Sequence, residues 1–277
     1  MSDLSKFNRF TSDLKEDGYL MPVLFVGHGS PMNGIEDNEF SRHWKQLARE
    51  IPQPAAVLVI SAHWLSNGTK VTAMGFPPTI HDFGGFPQAL FDVQYPAPGS
   101  IQVANETISL LHSIHAEPDH DWGLDHGAWT VVRHMYPEAN VPVLQLSIDY
   151  SKGPQYHYDL TKDLYTLRKK GVLIMGSGNM VHNLRMLAWD RLNEPEYGFD
   201  WAYELNDKFK QLIADGNHQA LINFSTISPD ISKAIPTSEH CLPLLYKLGL
   251  QGKNEEVSFF NDKAVGGSLT MTSVRIG

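Results

Sequence analysis

The sequence predicts a single α/β domain with a central, mostly parallel sheet flanked by helices, and two observations carry this prediction. Short apolar segments without polar alternation, which are typical of buried parallel strands, occur at residues 23–26, 55–60 and 172–175. Segments with the apolar spacing of helices occur at residues 40–51, 101–114, 156–170 and 201–214. Because strands and helices alternate, we expect a sheet layered by helices.

Three other segments complete the predicted fold. Residues 141–148 form a fourth strand of the same sheet, with Pro142 near its start, where a strand tolerates proline. Residues 268–276 alternate between two sets of side chains and predict a terminal strand. Residues 75–100 combine prolines and glycines with aromatic side chains, so they predict a long loop that either forms a lid or pocket wall or packs on the surface.

The composition is that of one ordinary globular domain. Hydrophobic residues make up 42% and charged residues 19% of the 277 residues, which supplies enough apolar side chains for a large core. No repeat, charge block or low-complexity linker divides the sequence, and its length does not require two domains. We therefore expect an N-terminal extension at residues 1–20 followed by one domain at residues 21–277.

The charge and the cysteine content exclude several classes of protein. The 31 acidic and 22 basic residues give a net charge of -9, which opposes binding to the phosphate backbone of a nucleic acid. Cys241 is the only cysteine in the sequence, so an intramolecular disulfide and a cysteine-rich zinc motif are both excluded. A metal site must therefore use histidine, aspartate or glutamate.

The sequence gives no sign of secretion or of membrane insertion. The first twenty residues lack the continuous apolar region of a signal peptide, and the longest aliphatic run, residues 55–60, is far too short for a membrane span. We expect a soluble, cytoplasmic protein that binds neither nucleic acid nor membranes. No heptad or exposed amphipathic stripe predicts an oligomeric state.

Three of the predicted strands run directly into turns that carry a histidine. These histidines are His28, His63 and His182, each with glycine or serine close by in the turn. Because the carboxyl ends of parallel strands lie at one edge of a sheet, the three imidazoles should meet there. Imidazole is the commonest metal ligand among side chains, so we expect a site for zinc, iron or manganese at this edge.

Two further segments extend the candidate site. Glu239 and His240 precede an apolar helical segment, residues 244–248, and either side chain is able to complete a facial metal triad. Glu239 is alternatively a helix N-terminal residue favoured by the macrodipole. His126 precedes a short helix, where it either donates a hydrogen bond to bound substrate or oxygen or is simply a neighbour of the helix cap.

The remaining histidines divide into two groups. His81 and Asp82, in the long loop, are candidates of the same kind as His126. The others considered lie on polar helix-like faces and are expected at the surface: His43, His112, His115, His157 and His218.

Six short motifs, spread over nearly the whole chain after residue 20, resemble those of a known family. They are GHGSPM at 27–32, SAHW at 61–64, HDFGGFP at 81–87, DHG at 125–127, GSGN at 176–179 with HNL at 182–184, and EH at 239–240 with LPL at 242–244. With these motifs in family order, the chain resembles the class III extradiol ring-cleavage dioxygenases of the 4,5-DOPA dioxygenase type. This type is related to the catalytic subunit of protocatechuate 4,5-dioxygenase.

The resemblance implies a role for each histidine of the candidate site. His28, His63 and His240 would bind the metal, and His182 would be a fourth ligand or the acid/base beside it. His126 would line the substrate side and assist catalysis. The protocatechuate enzymes use a carboxylate as third ligand, whereas members of the DOPA type share the histidine, so we assign His240 and hold Glu239 in reserve.

The resemblance also implies an activity for residues 21–277 as a catalytic domain. Fe(II) would support the opening of a DOPA-like catechol by molecular oxygen, with His182 as the base and His126 or protonated His182 as the proton donor. Zn(II) could occupy the site instead, because it binds nitrogen ligands more tightly than Fe(II). A zinc-dependent hydrolase and a non-catalytic metal-binding module are the alternatives.

Overall fold

Helices cover both faces of a six-stranded sheet in the computed structural model, which describes residues 19–277. The predicted extension, residues 1–20, lies outside the described residues except for Tyr19 and Leu20. The strands are β1 (Val23–Gly27), β2 (Ala56–Ser61), β3 (Leu65–Ser66), β4 (Thr69–Thr72), β5 (Ala116–Asp119), β6 (Val143–Gln145), β7 (Ile148–Asp149), β8 (Val172–Gly178), β9 (Val257–Phe260), β10 (Ala264–Val265), β11 (Leu269–Thr270) and β12 (Ser273–Ile276). The α-helices are α1 (Glu39–Glu50), α2 (Gln88–Phe91), α3 (Ile101–Leu110), α4 (His126–Met135), α5 (Pro154–Leu160), α6 (Tyr165–Lys169), α7 (Asp200–Ala214), α8 (His218–Ile222), α9 (Ile231–Ala234) and α10 (Leu242–Leu248).

The sheet has the order β6-β2-β8-β1-β12-β9. Its first four strands are parallel, whereas β12 pairs antiparallel with β1 and β9 pairs antiparallel with β12. In the centre, β8 pairs with β2 on one side and β1 on the other, and every residue of these three strands is buried. The predicted α/β class, the mostly parallel sheet and its three apolar strands are confirmed.

The sheet separates two hydrophobic cores, because alternate side chains of a strand point to opposite faces. Phe25 of β1 packs into the core that includes Phe209 of α7. Its neighbour Leu24 packs into the other core, with Trp44 of α1 and Trp129 of α4. Burial on both faces explains why the central strands are apolar without alternation.

Two segments predicted as single strands are each divided between two sheets. Residues 141–148 give β6 in the main sheet and β7, which pairs with β3. The amide of Leu146 still bonds to the carbonyl of Val59, and the chain then leaves the main sheet because the amides of Ser147 and Ile148 bond to the carbonyls of Lys70 and Trp64. Residues 268–276 likewise give β11, which pairs with β10, and β12 in the main sheet.

The helix predicted at residues 156–170 is also divided, into α5, a 3-10 turn at Thr161–Leu164 and α6. The prediction that His157 lies at the surface is wrong. α5 packs against α10, and Nδ1 of His157 forms a hydrogen bond with the hydroxyl of Tyr246 at 2.8 Å in the core. Burial lowers the pKa of His157 to about 4. His43, His112 and His115 are exposed as predicted, whereas His218 is half-buried.

None of the helices in the described part of the chain combines the length and the apolar character that a membrane span requires.

A buried arginine connects distant segments at the edge where β1 and β8 begin. Arg168 donates to the carbonyls of Met21 at 2.8 Å and Leu250 at 2.7 Å, and it forms an ion pair with Glu255. Burial alone would raise the pKa of Glu255, but the hydrogen bonds from Arg168 and Gly252 lower it. The charged form of this carboxylate therefore stabilises the fold.

We expect Glu255→Gln to reduce the free energy of unfolding at neutral pH by about 2 kcal/mol, because it leaves the buried Arg168 without its anionic partner. Since the folded-state pKa of Glu255 is lowered, the stabilisation is present above its ordinary pKa of 4.5 and is lost as the pH falls through the folded value. The difference between the variant and the natural chain should thus shrink in acid. Urea unfolding at several pH values measures it, with Glu256→Gln at an exposed neighbouring position as the control. A difference that grows in acid would contradict the assignment.

Candidate metal centre

Five histidines converge at the carboxyl edge of the sheet. The ring centroids of His28 and His63 lie 5.0 Å apart, and the ring of His240 lies 5.5 Å from His28 and 5.1 Å from His63. His126 packs against His63 at 3.8 Å. His182 stacks on His240 at 3.6 Å with nearly parallel planes. The predicted meeting of distant histidines at this edge is confirmed.

Close backbone contacts at the end of β8 place two of these histidines. The amide of Asn179 donates to the carbonyl of His240 at 2.9 Å, which ties the segment before α10 to the strand end. A Cβ atom at Gly178 would lie 2.1 Å from the same carbonyl oxygen, so only glycine permits this approach. The amide of His28 donates to the carbonyl of Gly178 at 3.2 Å and continues the pairing of β1 with β8.

A buried carboxylate holds the start of α4 against the end of β2. Asp125, the N-cap of α4, accepts from the hydroxyl of Ser61 at 2.7 Å and from the side-chain amide of Gln145 at 2.6 Å. Ser61 in turn accepts from the amide of His63 at 3.2 Å. The same network therefore fixes the main chain of His63 and of His126, the first residue of α4.

The hydrogen bonds of His28 leave its second ring nitrogen free to bind a cation. Ser177 donates its hydroxyl hydrogen to the carbonyl of Gly127 at 2.5 Å, so its oxygen accepts from Nδ1 of His28, 3.0 Å away. Nε2 of His28 then carries a lone pair and faces Nε2 of His63 at 3.1 Å. These nitrogens repel each other unless a proton or cation lies between them, and their separation suits two ligands bound to one ion at about 2.1 Å each.

Burial and mutual repulsion keep the clustered imidazoles neutral. Burial and the neighbouring histidines lower the pKa of His63 to about 2 and that of His182 to about 3. Burial is also the main cause that lowers the pKa of His28 and of His240. Because a metal binds the neutral imidazole, these four side chains are in the required state at neutral pH.

The tightest group of candidate ligands differs from the predicted set. Among the described residues, His28, His63 and His126 offer ring nitrogens that all lie within 4.8 Å of one another. His240 and His182, which were predicted to bind the metal, form a stacked pair beside His28 and His63. The structure brings all five predicted histidines together, but it places His126 closer to His28 and His63 than the prediction implied.

The carboxylate of Asp82 contacts the Nδ1 side of two rings. Its Oδ2 atom accepts from Nδ1 of His126 at 2.9 Å and lies 3.4 Å from Nδ1 of His63. Burial alone would raise the pKa of Asp82, but the hydrogen bonds from His126 lower it. Asp82 is therefore a negative charge beside the cluster at neutral pH.

Glu239 occupies the corresponding position beside His240. Its Oε1 atom lies 3.5 Å from Nδ1 of His240, which is an ion-pair distance, and that nitrogen has no hydrogen-bond partner in the part of the chain that the structure describes. Burial alone would raise the pKa of Glu239, but the contact with His240 and the hydrogen bond from Thr237 lower it to about 2. An anion on this side favours a proton on Nδ1 and leaves the lone pair on Nε2 of His240.

The aromatic loop predicted at residues 75–100 forms a wall of the site. The ring of Phe83 meets His126 edge-on, with centroids 5.6 Å apart. His81 instead points into the loop, where its Nε2 atom donates to the carbonyl of Val93 at 2.9 Å, so this candidate stabilises the loop. An open cavity of about 330 Å³ adjoins Glu239, and its lining residues are Leu65, Ile148, Tyr150, Lys152, Thr237, Ser238, Glu239 and Leu242.

Cys241 lies directly after His240 and is only 1% exposed. Burial raises the pKa of its thiol to about 12, so the thiol stays protonated at neutral pH. The one sulfhydryl in the sequence is therefore a core side chain and not an additional ligand.

Two side chains, Ser177 and Asp82, contact the histidines in a way that the sequence did not predict. Ser177 lies in the GSGN motif and Asp82 in the HDFGGFP motif, but their partners come from distant segments. A polar residue soon after the apolar run at residues 172–175 was the available signal for Ser177. Asp82 directly follows the candidate His81, but it is the aspartate, and not His81, that contacts the cluster through His126.

We expect Gly178→Ala to lower the free energy of unfolding by about 2 kcal/mol and to weaken metal binding, because the added methyl group must displace the backbone of His240. Urea unfolding and calorimetric titration with zinc measure the two effects. Gly75→Ala is the matched control, since a Cβ atom there meets nothing within 4 Å. Equal stability and zinc affinity of the two variants would contradict this role of Gly178.

Comparison with known proteins identifies the family. Residues 22–272 match the family model of the catalytic LigB subunit of aromatic ring-opening dioxygenase. The chain is 46% identical over 266 residues to the 4,5-DOPA dioxygenase extradiol of Escherichia coli (strain K12). The aligned region covers 93% of this chain and 95% of that protein. It is also 34% identical over 243 residues to the 4,5-DOPA dioxygenase extradiol of Mirabilis jalapa. That aligned region covers 86% of this chain and 89% of the relative.

A solved structure shows the same architecture. The crystal structure of an uncharacterized protein from Escherichia coli K12 matches with a TM-score of 0.79 and 38% sequence identity, covering 93% of this chain and 100% of that chain. Together with the histidine cluster, these relationships favour ring opening over the hydrolase and binding-module alternatives. The chain belongs to the family of the catalytic LigB subunit of aromatic ring-opening dioxygenases, and it is a metal-dependent extradiol dioxygenase.

Proposed function

We propose that this enzyme holds Fe(II) in its histidine cluster and uses molecular oxygen to open the ring of a DOPA-like catechol. The observation that supports this proposal is the meeting of neutral imidazoles with ring nitrogens turned toward one another. Nitrogen donors of this kind suit Fe(II), and Zn(II) competes for the same donors because it binds them more tightly. When bound, the metal supplies a Lewis acid for the catechol oxygens and a binding position for oxygen.

We assign metal binding to His28, His63 and His240. Their ring centroids form a nearly equilateral triangle with sides of 5.0, 5.1 and 5.5 Å, which leaves space at the centre. His126 and His63 pack more closely than this, with 3.8 Å between their ring centroids. This contrast favours His240 over His126 as third ligand, although the nitrogens of His126 lie closer to the pair.

We assign proton transfer to His182 and His126. The neutral ring of His182, stacked on His240, is suited to accept a proton from a catechol hydroxyl beside the metal. His126 lines the substrate side, where we propose that it assists the proton transfer, and the adjacent Asp82 carboxylate holds its ring in place. A direct role for His182 as fourth ligand is the alternative, and the metal content of a variant decides between the two.

A DOPA-like substrate is supported by the relatives and by the cavity beside Glu239. Two relatives are named as 4,5-DOPA dioxygenases. The cavity of about 330 Å³ carries one basic side chain, Lys152, and one acidic side chain, Glu239, which complement the opposite charges of an amino-acid group. We also propose a cytoplasmic location, because the single cysteine is buried and cannot form a disulfide within the chain.

Reconstitution with Fe(II) tests the activity and the substrate. The metal-free enzyme is loaded anaerobically and mixed with DOPA, caffeate or unsubstituted catechol before air is admitted. We expect oxygen uptake and a yellow ring-opened product, fastest with DOPA, and no turnover with zinc, which has no redox chemistry. The absence of oxygen uptake with every catechol would refute the proposed substrate class, and a faster reaction with caffeate would refute the preference.

Alanine substitutions test the roles of the five histidines. We expect His28→Ala, His63→Ala and His240→Ala to lose bound iron. His126→Ala and His182→Ala should keep the metal and lower turnover by about 10²-fold, the usual scale of general acid/base catalysis. Metal analysis and steady-state kinetics give the two readouts, with the exposed His115→Ala as the matched control. Loss of iron from His126→Ala but not from His240→Ala would overturn the ligand assignment.

A further inference from the structure

We infer that Asp82 is a positioning residue that directs the Nε2 atoms of His126 and His63 toward the metal centre. The inference rests on the proposed function, because that proposal assigns a metal ion to the histidine cluster. Asp82 lies in the loop at residues 75–100 and is remote in sequence from both histidines. Its side chain is nevertheless only 18% exposed, because it is enclosed by the cluster.

One carboxylate fixes both the main chain and the ring of His126. Oδ1 of Asp82 accepts from the backbone amide of His126 at 2.8 Å, and Oδ2 accepts from Nδ1 of its ring at 2.9 Å. Since the two bonds share one rigid group, they restrict rotation of the imidazole. They also assign the proton to Nδ1, which leaves the lone pair on Nε2.

The same oxygen reaches the second ring. Oδ2 of Asp82 lies 3.4 Å from Nδ1 of His63, while Nε2 of His63 lies 3.1 Å from Nε2 of His28. The carboxylate and the nitrogen that faces His28 therefore lie on opposite sides of the His63 ring. A negative charge at Nδ1 favours the tautomer with its lone pair on Nε2 and raises the basicity of that nitrogen.

The main chain around Asp82 is held in place independently of the histidines. Nε1 of Trp129 donates to the carbonyl of Ile80 at 2.9 Å, and the amide of Ile80 donates to the carbonyl of Leu124 at 2.7 Å. The carboxylate also lies at the N-terminus of the ten-residue helix α4, whose first amides have no acceptor within the helix and favour an anion. The segment that carries Asp82 is thus held by contacts that do not involve the clustered histidines.

The geometry distinguishes this role from direct metal binding. Both oxygens of Asp82 already accept hydrogen bonds from His126. The carboxylate also lies on the Nδ1 side of the rings, away from the nitrogens of His28 and His63 that face each other. A carboxylate in this position orients ligands and does not replace one.

The test compares Asp82→Asn with Asp92→Asn, an identical change at an exposed position of the same loop. Calorimetric titration of the metal-free proteins with zinc measures affinity without turnover. Two-dimensional 1H–15N spectra of the metal-free, histidine-labelled proteins report the tautomers. For Asp82→Asn we expect zinc affinity to fall by about 10- to 100-fold, the usual effect of a lost ligand partner. We also expect His126 to shift toward the tautomer with its proton on Nε2, with no change in Asp92→Asn.

Two outcomes would overturn the inference. One is unchanged zinc affinity and an unchanged tautomer in a folded Asp82→Asn protein. The other is complete loss of zinc binding with an unchanged tautomer, which would make Asp82 a ligand. If Asp82→Asn did not fold, Asp82→Glu would carry the same test, because the displaced carboxylate cannot form both bonds to His126. Failure of the natural enzyme to consume oxygen would refute the proposed function alone, since affinity and tautomer are measured without substrate.

Discussion

The pairing of β8 with both β1 and β2 is the constraint on which the metal centre depends. Parallel registers bring the ends of these strands to one edge, so the turns that follow them deliver imidazoles to the same place. The backbone contact between Gly178 and His240 adds the segment before α10 to that edge. The positions of the histidines in the site are thus set mainly by main-chain hydrogen bonds.

The crowded imidazoles are a local conflict within the fold. Neutral imidazoles are crowded together, two of their nitrogens face each other at 3.1 Å, and Nδ1 of His240 has only an ion-pair contact with Glu239. Proteins accept such local conflict at functional sites and compensate for it elsewhere. Here the compensation includes the buried network around Asp125 and the two wholly buried cores. A bound cation would relieve the repulsion and so stabilise the folded state.

Much of this arrangement could be predicted from sequence because its signals are local. Apolar strands ending in a glycine or serine turn identified the sheet edge, and hence His28, His63 and His182. Features set by tertiary contacts escaped prediction. The burial of His157 depends on Tyr246 in another helix, and the division of residues 141–148 depends on pairing with segments that follow β2. The closeness of His126 to the cluster likewise depends on contacts that no local pattern reveals.

The burial of Cys241 has a consequence for an enzyme that handles oxygen. Thiolates are the form of cysteine that oxidants attack and that soft metals bind. Adjacent to a histidine of the centre, a reactive sulfur would be vulnerable to damage and would compete for copper or zinc. Enclosed and protonated, it is chemically silent, so the fold shields its single thiol from the oxygen chemistry of the neighbouring site.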